Sequence, residues 1–256
     1  MRGWDRLPAR SNRSNMPPLV VIPARMGSTR LPGKALADIG GRPMILRVLD
    51  AALGQAVGPV AVATDSDEIT RVVESAGGRV AVTRRAHACG TDRIGEALET
   101  FDPGGAHDIV VNLQGDQPYL PPGALAAALA LLDDADVDIG TLATPATDAE
   151  ADDPNAVKLV GTRVTPARMR ALYFTRARAP HGDGPLWRHV GVYAFRRAAL
   201  LRFCTLPPSP LELRERLEQL RALEDGLRID AALLDKIGAS VDTKSDLDAL
   251  NRTAEP

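Results

Sequence analysis

Three cations and two hydroxyls fall within one short run, Pro23-Ala24-Arg25-Met26-Gly27-Ser28-Thr29-Arg30-Leu31-Pro32-Gly33-Lys34. Arginine forks match phosphate oxygens two at a time and a lysine adds a compact charge. Arg25, Arg30 and Lys34 could therefore neutralise a triphosphate and the pyrophosphate that leaves it. The run is not a G-x-G-x-x-G fingerprint, and Ala35 replaces the Ser or Thr that follows Gly-Lys in a P-loop. A solvated basic loop is the alternative, and the position of the run decides between them. It follows the continuous apolar stretch Leu19-Val20-Val21-Ile22, which reads as a strand buried on both faces. Open α/β sheets bind ligands at the carboxyl ends of such strands.

A second chemistry-bearing segment, Asn112-Leu113-Gln114-Gly115-Asp116-Gln117-Pro118, also ends a buried apolar run, Asp108 to Leu113. Gly115 lets a ligand approach the backbone closely, and Asp116 is placed to hold a metal. Magnesium binds phosphates together with one or two carboxylates. The plain alternative is a turn closed by an Asx hydrogen bond. Asp242 in Ser240-Val241-Asp242-Thr243 is the candidate second carboxylate, although Asp242 or Ser245 could simply cap a last helix at Lys244 to Leu250.

The elements that must position these groups alternate. Strands are predicted at Val60 to Thr64, Val80 to Thr83, Asp108 to Leu113 and Ile139 to Thr144. Helices are predicted over Pro43 to Leu53, Asp67 to Ala76, Asp92 to Thr100 and Pro121 to Leu132. Such alternation means a mostly parallel sheet. The second half is less regular, with strands at Ala156 to Val160, Met169 to Phe174 and Val190 to Phe195 and one helix from Leu211 to Glu224. It reads as an appended antiparallel section of a single α/β, Rossmann-like domain over residues 19–252. The 256 residues, 45% hydrophobic and 25% charged, suit one large folded domain. A net charge of -2 gives no field that would draw the chain to nucleic acid or an anionic membrane. Residues 1–18 have no apolar core and read as a flexible leader, with Met16 an alternative start. The two cysteines, Cys89 and Cys204, form no metal or disulfide framework, which suits a reducing cytoplasm.

The runs PARMGSTRLPGK, VATDSDEI, CGTDRIGEAL, NLQGDQP, DPNAVKLV, ALYFTRA, RHVGVYAFR, SPLELRERLEQLR and VDTKSDL occur in this order. With them the chain resembles the 3-deoxy-manno-octulosonate cytidylyltransferases from Leu19 to Leu250. The resemblance implies magnesium-dependent transfer of CMP from CTP to a 2-keto-3-deoxy sugar acid, with release of pyrophosphate, by a homodimer whose interface would lie within Arg168 to Phe195. It places Arg25, Ser28, Arg30 and Lys34 on the triphosphate, Gly90, Thr91 and Arg93 around the nucleoside, and Asp116 and Asp242 on the metal. Arg25, Lys34 and Asp116 would be the catalytic group. Gln114, Arg176, His189, Tyr193, Glu218 and Gln219 would contact the acceptor.

Without the resemblance these acceptor residues stay ambiguous. Arg176 could clamp a carboxylate or form an exposed ion pair. His189 and Tyr193, four apart in a strand, face one way and could equally be a structural pair. Glu218 and Gln219 belong to a charge-rich helix with Leu213, Leu217 and Leu220 as its core stripe. His87, His107 and His181 form no ligand spacing and are expected on loops. The family reads QGDEP where this chain has Gln117, Cys89 stands for a serine, Thr175 replaces another serine, and the stretch from Pro180 to Arg188 is short. These departures leave room for a different acceptor, such as another sugar acid or a small phosphonate. A nucleotide-binding sensor without turnover is the alternative of another class.

Overall fold

The first apolar run forms β1 (Leu19–Ala24), buried along its whole length, and its alternate residues feed two separate cores. Val20 and Ile22 join one cluster, while Leu19 and Val21 join the other, as the two-residue period of a strand requires. The computed structural model describes residues 16–27, 31–84, 87, 89–238, 240–241 and 243–253. Residues 1–15 of the expected leader lie outside them.

After β1 come a short hairpin, β2 (Asp38–Ile39) and β3 (Arg42–Pro43), then α1 (Met44–Gly54), β4 (Val60–Thr64), α2 (Asp67–Ser75), β5 (Val80–Val82), α3 (Gly90–Phe101) and β6 (Ile109–Leu113). Then follow α4 (Ala124–Ala130), β7 (Ile139–Pro145), α5 (Asp148–Asp152), β8 (Lys158–Thr165), β9 (Arg168–Thr175) and β10 (Trp187–Arg196). The chain ends with α6 (Arg197–Thr205), α7 (Pro210–Glu215), α8 (Gln219–Glu224), β11 (Ile229–Leu233) and α9 (Lys244–Thr253). The main sheet has nine strands in the order β5-β4-β1-β6-β10-β7-β11-β9-β8. Pairings β4–β5, β1–β4, β1–β6 and β7–β11 are parallel. Helices α1, α2 and α4 cover one face of the sheet, and α3, α6 and α8 cover the other.

The antiparallel part differs in place from the sequence expectation. The β8–β9 hairpin does sit at the edge, but β10 lies inside the sheet, antiparallel to both β6 and β7. Its run from His189 to Phe195 carries buried side chains on both faces, so a central position hides more apolar surface than an edge would. Inside the sheet, β10 also brings its own residues beside Asn112 and Leu113 of β6.

The single helix expected from Leu211 to Glu224 is two helices. Arg216 adopts a left-handed backbone, φ 56°, ends α7, and turns the chain so that Leu217 and Leu220 pack inward. Leu213, expected in the core stripe, is 66% exposed as a consequence. At the start of the last helix Thr243 and Asp246 exchange backbone-to-side-chain hydrogen bonds of 2.8 and 3.2 Å, while Ser245 lies within the helix and Asp242 lies outside the described residues.

One buried ion pair fastens these short helices. Arg221 of α8 donates to both carboxylate oxygens of Glu212 on α7, at 2.7 and 2.6 Å, and to Asp92 of α3 at 3.1 Å, with its guanidinium over the Phe203 ring. Glu212→Ala leaves part of a buried charge unpaired, so it should destabilise the fold by about 3 kcal/mol, read as a shift in the urea midpoint.

Candidate active site

Strands β1 and β6 are adjacent and parallel, with Val21 opposite Asn112, so the segments after them leave the sheet at one place. Arg25 stands exposed at the end of β1. Lys34, at the start of a short 3-10 helix, reaches back so that its Nζ donates to Asp116 Oδ2 at 3.0 Å. Gly115 packs closely here, since a Cβ on it would stand 3.0 Å from the Pro23 carbonyl oxygen. The Val241 N–H donates to the Asp116 carbonyl at 3.2 Å, which ties the chain's last loop to the same point. Ser28, Arg30 and Asp242 lie outside the described residues.

A chain of side-chain hydrogen bonds runs from this point to α8. Gln114 Nε2 donates to Asn112 Oδ1 at 3.1 Å, and Asn112 Nδ2 donates to Thr91 Oγ1 at 3.0 Å. Thr91 Oγ1 in turn donates to Glu218 Oε1 at 2.8 Å, and the Thr91 backbone N–H donates to Glu218 Oε2 at 3.3 Å. Cys89 supplies no side-chain cap to α3, so Glu218, from another helix, places its carboxylate at that positive helix end. Gln114 is wedged between two glycines: a Cβ on Gly191 would lie 3.2 Å from its Cγ, and one on Gly90 would lie 3.5 Å from its Nε2.

Gln114, Tyr193, His189, Glu218, Gln219 and Arg176 line one cleft of about 250 Å³, with Asp116 at its border. The six residues that the resemblance assigned to the acceptor thus converge. His189 lies against the Phe174 and Tyr193 rings, with centroids at 4.9 and 5.3 Å. Burial, with the charge of Arg188 added, pulls its pKa from 6.5 down to about 3. The imidazole is therefore neutral at ordinary pH. Thr141 Oγ1 gives its proton to the Val192 carbonyl at 2.7 Å, so the 3.0 Å contact with His189 is donated by the ring Nε2–H, leaving Nδ1 as a hydrogen-bond acceptor. Burial also raises the Tyr193 phenol well above its usual range, and it stays protonated.

Two cations of the cleft, Arg176 and Arg188, are anchored to the protein. Arg176 donates to the carbonyls of Glu215, Pro154 and Arg216 at 2.8, 2.9 and 3.2 Å. Arg188 donates to Glu150 at 2.6 Å and to Ser240 Oγ at 3.3 Å.

The family model described as Cytidylyltransferase matches residues 19–229. A 3-deoxy-manno-octulosonate cytidylyltransferase of Methylobacterium radiotolerans is 60% identical over 232 residues, covering 90% of this chain and 94% of the relative. This chain belongs to the cytidylyltransferase family. A 3-deoxy-manno-octulosonate cytidylyltransferase of Rhodopseudomonas palustris is 57% identical over 235 residues, covering 91% of this chain and 95% of that one. A solved CMP:2-keto-3-deoxy-manno-octonic acid synthetase complexed with CTP superposes with a TM-score of 0.84 at 37% identity, covering 93% of this chain and 98% of that chain. A UDP-glucose pyrophosphorylase complexed with UDP-glucose, at 13% identity and TM-score 0.64 over 93% of this chain and 98% of that one, shares the fold alone.

Of the residues that the resemblance places around the nucleoside, Gly90 and Thr91 open α3 beside Gln114, whereas Arg93 is buried. It donates to Thr83 Oγ1, to the Arg84 carbonyl at 3.3 Å and to Asp65 at 3.2 Å, so it braces the ends of β4 and β5 and offers no open charge. Sequence reasoning passed over Arg188, Arg216 and Ser240, which line the same cleft. Arg188 directly precedes His189 in a quoted motif and was findable there, whereas Arg216 and Ser240 belong to loops whose paths the sequence does not show. Cys89 is no nucleophile, because burial and Glu218 hold its thiol far above the usual range. His87 bonds Glu96, and buried His107 bonds the Pro17 carbonyl at 2.6 Å. Among the described residues no group of three His, Cys, Asp or Glu side chains forms a metal centre.

The neutral state of His189 has a thermodynamic signature. The unfolded chain binds the proton below 6.5 while the folded chain does not until about 3, so stability is complete above 6.5 and falls as pH drops through that window. In thermal melts, His189→Gln should show a shallower loss between these limits than the wild type.

Proposed function

We propose that this protein transfers CMP from CTP to 3-deoxy-manno-octulosonate (KDO) and releases pyrophosphate. The observation that carries this reading is the convergence of Gln114, His189, Tyr193 and Glu218 on a cleft bordered by the Lys34–Asp116 pair. The relatives named for that reaction, and the CTP-bound one among the solved structures, support it.

Arg25 and Lys34 bind the triphosphate, joined by Ser28 and Arg30, and offset the charge that builds on the departing pyrophosphate. The acceptor's anomeric hydroxyl attacks the α-phosphorus in line, and the chain contributes mainly by placing the two partners. Neutral His189 accepts through Nδ1, the Tyr193 phenol stays a donor, and Glu218 accepts, so the cleft reads hydroxyl groups by fixed donors and acceptors. Arg176 and Arg188 set a positive wall for the acid's carboxylate.

Magnesium belongs to this reading. It takes oxygen ligands and is commonly held by one or two carboxylates and the substrate's phosphates, so a three-residue cluster is not required. Asp116, partly open and beside the phosphate-binding lysine, fits such a donor set, with Asp242 as its partner carboxylate. When bound, the ion would orient the triphosphate and spread its negative charge.

A homodimer through the β8–β9 hairpin is part of the same proposal, supported by exposed Leu172 and Val164 on that hairpin. Among the described residues no helix is long and apolar enough to cross a membrane, and a cytoplasmic site of action follows from the reaction's use of CTP.

Pyrophosphate release should be seen with CTP, KDO and magnesium, and not with UTP or with small phosphonates. Turnover of a phosphonate alone would move the acceptor, and CTP binding without any turnover would favour a sensor. Asp116→Asn should lower kcat by roughly a hundredfold or more while the protein still melts cooperatively. An unchanged rate would remove Asp116 from the reaction. Arg25→Ala should weaken CTP binding by about tenfold in calorimetry.

A further inference from the structure

Lys158 is among the largest fully buried side chains of the described residues, 0% exposed, and it takes no part in the chemistry described above. Its ammonium forms no ion pair among the described residues. It donates instead to two carbonyls of one turn, Asp153 at 2.8 Å and Ala156 at 2.6 Å. That turn is a wall of the acceptor cleft, to which it contributes Asn155, Ala156 and Val157. Further bonds hold it from both sides. Asn155 donates to Asp153 Oδ1 from its backbone N–H at 2.8 Å and from Nδ2 at 3.0 Å, and Arg176 Nη1 donates to the Pro154 carbonyl at 2.9 Å. The Val157 carbonyl accepts the His189 backbone N–H at 2.8 Å, so the shape of the turn is passed on to the imidazole. In the sheet, Lys158 pairs with Thr175 on β9 and with Arg188 on β10, so it sits where the strands bearing the cleft's cations meet.

An unpaired buried ammonium is costly, and a neutral chain of similar length would fill the same space without that cost. Burial indeed lowers the pKa of Lys158, opposed by nearby Asp153 and Asp152. We infer that Lys158 is a positioning residue for the acceptor: it fixes the 153–157 turn and His189 against the sugar acid and puts a positive charge behind the wall that meets the acid's carboxylate. The inference rests on the reading above, in which KDO is the acceptor of CMP. The nucleotide half of the site is built on β1, β6 and α3, and neither of those strands pairs with β8, so CTP binding should be much less sensitive to Lys158 than KDO binding.

The test compares wild type with Lys158→Met and Lys158→Gln, using KDO, CTP and magnesium. Lys158→Met should raise the KM for KDO by about tenfold or more, with kcat and the KM for CTP within about twofold of wild type. Lys158→Gln, which keeps a donor for the carbonyls but no charge, should fall between them. CTP affinity by calorimetry and a cooperative melt report whether each variant is folded. An unchanged KM for KDO in a folded variant overturns the inference, as does a parallel rise of both KM values. Failure of both variants to fold also overturns it, since the lysine would then serve the whole domain. Wild-type protein inactive on KDO with CTP would instead defeat the functional reading, and this inference with it. Wild-type turnover beside unaltered Lys158→Met kinetics defeats the inference alone.

Discussion

Two parallel strands in contact govern the arrangement of everything else. Because β1 and β6 are neighbours and both are buried on each face, neither can end in solvent until the same edge of the sheet is reached. At that edge the chain has no ladder left to satisfy, and the polar groups held back by the apolar runs emerge together. Arg25 leaves β1 and Gln114 to Asp116 leave β6 at one point. The Lys34–Asp116 bond, which joins residues 82 positions apart, follows from that adjacency. A basic loop and an acidic turn that would each be unremarkable on a surface become a charge-matched cradle because one pairing puts them side by side.

The second half of the chain completes the site by crossing the first. Strand β10 runs against β6 and β7, and Gly191 lets it come close to Gln114. On the far side, the break at Arg216 turns Glu218 toward the first turn of α3, where it replaces the missing cap of that helix. The hydrogen bonds Gln114–Asn112–Thr91–Glu218 therefore join the nucleotide side to the acceptor side through groups that are largely removed from water. In such surroundings each bond is stronger than it would be at the surface, and the loss of one member leaves others unsatisfied.

Although the short β2–β3 hairpin fell in what reads as a loop, the main-sheet strands and most helices of the first half could be read from apolar periodicity, because each was buried in the way its pattern implied. So could Arg25, Lys34 and Asp116, since strand-end position gave their charges a meaning. Other features depend on partners distant in sequence. The central position of β10 is decided by competition for burial between strands, and no local pattern of HVGVYAF distinguishes the middle of a sheet from its edge. The helix break at Arg216 is set by tertiary packing against a run whose propensity favours continuation, and it reversed the fate of Leu213. Arg93 and Arg221 have the same chemistry as Arg25, yet nearby carboxylates, Asp65 in one case and Glu212 in the other, make them structural. The sequence alone could not sort these three arginines, because only the fold says which carboxylate each one meets.

That sorting also bears on how the acceptor is chosen. Two cations of the cleft are not loose side chains awaiting an anion: Arg176 is held by three carbonyls and Arg188 by Glu150 and Ser240. A guanidinium fixed in this way keeps its orientation before the acid arrives, so little rotamer freedom is lost on binding and little reorganisation is needed at the moment of transfer. The same anchoring limits what the wall can accept, because a carboxylate placed differently cannot draw the arginine after it. Neutral His189 adds to this selectivity. As a fixed acceptor held by Thr141, it can pair with a hydroxyl but offers no charge to an arbitrary anion. On the proposed reading, discrimination among acids in this cleft would come from the match of hydroxyl positions to a fixed set of donors and acceptors, and net charge alone would not admit a ligand.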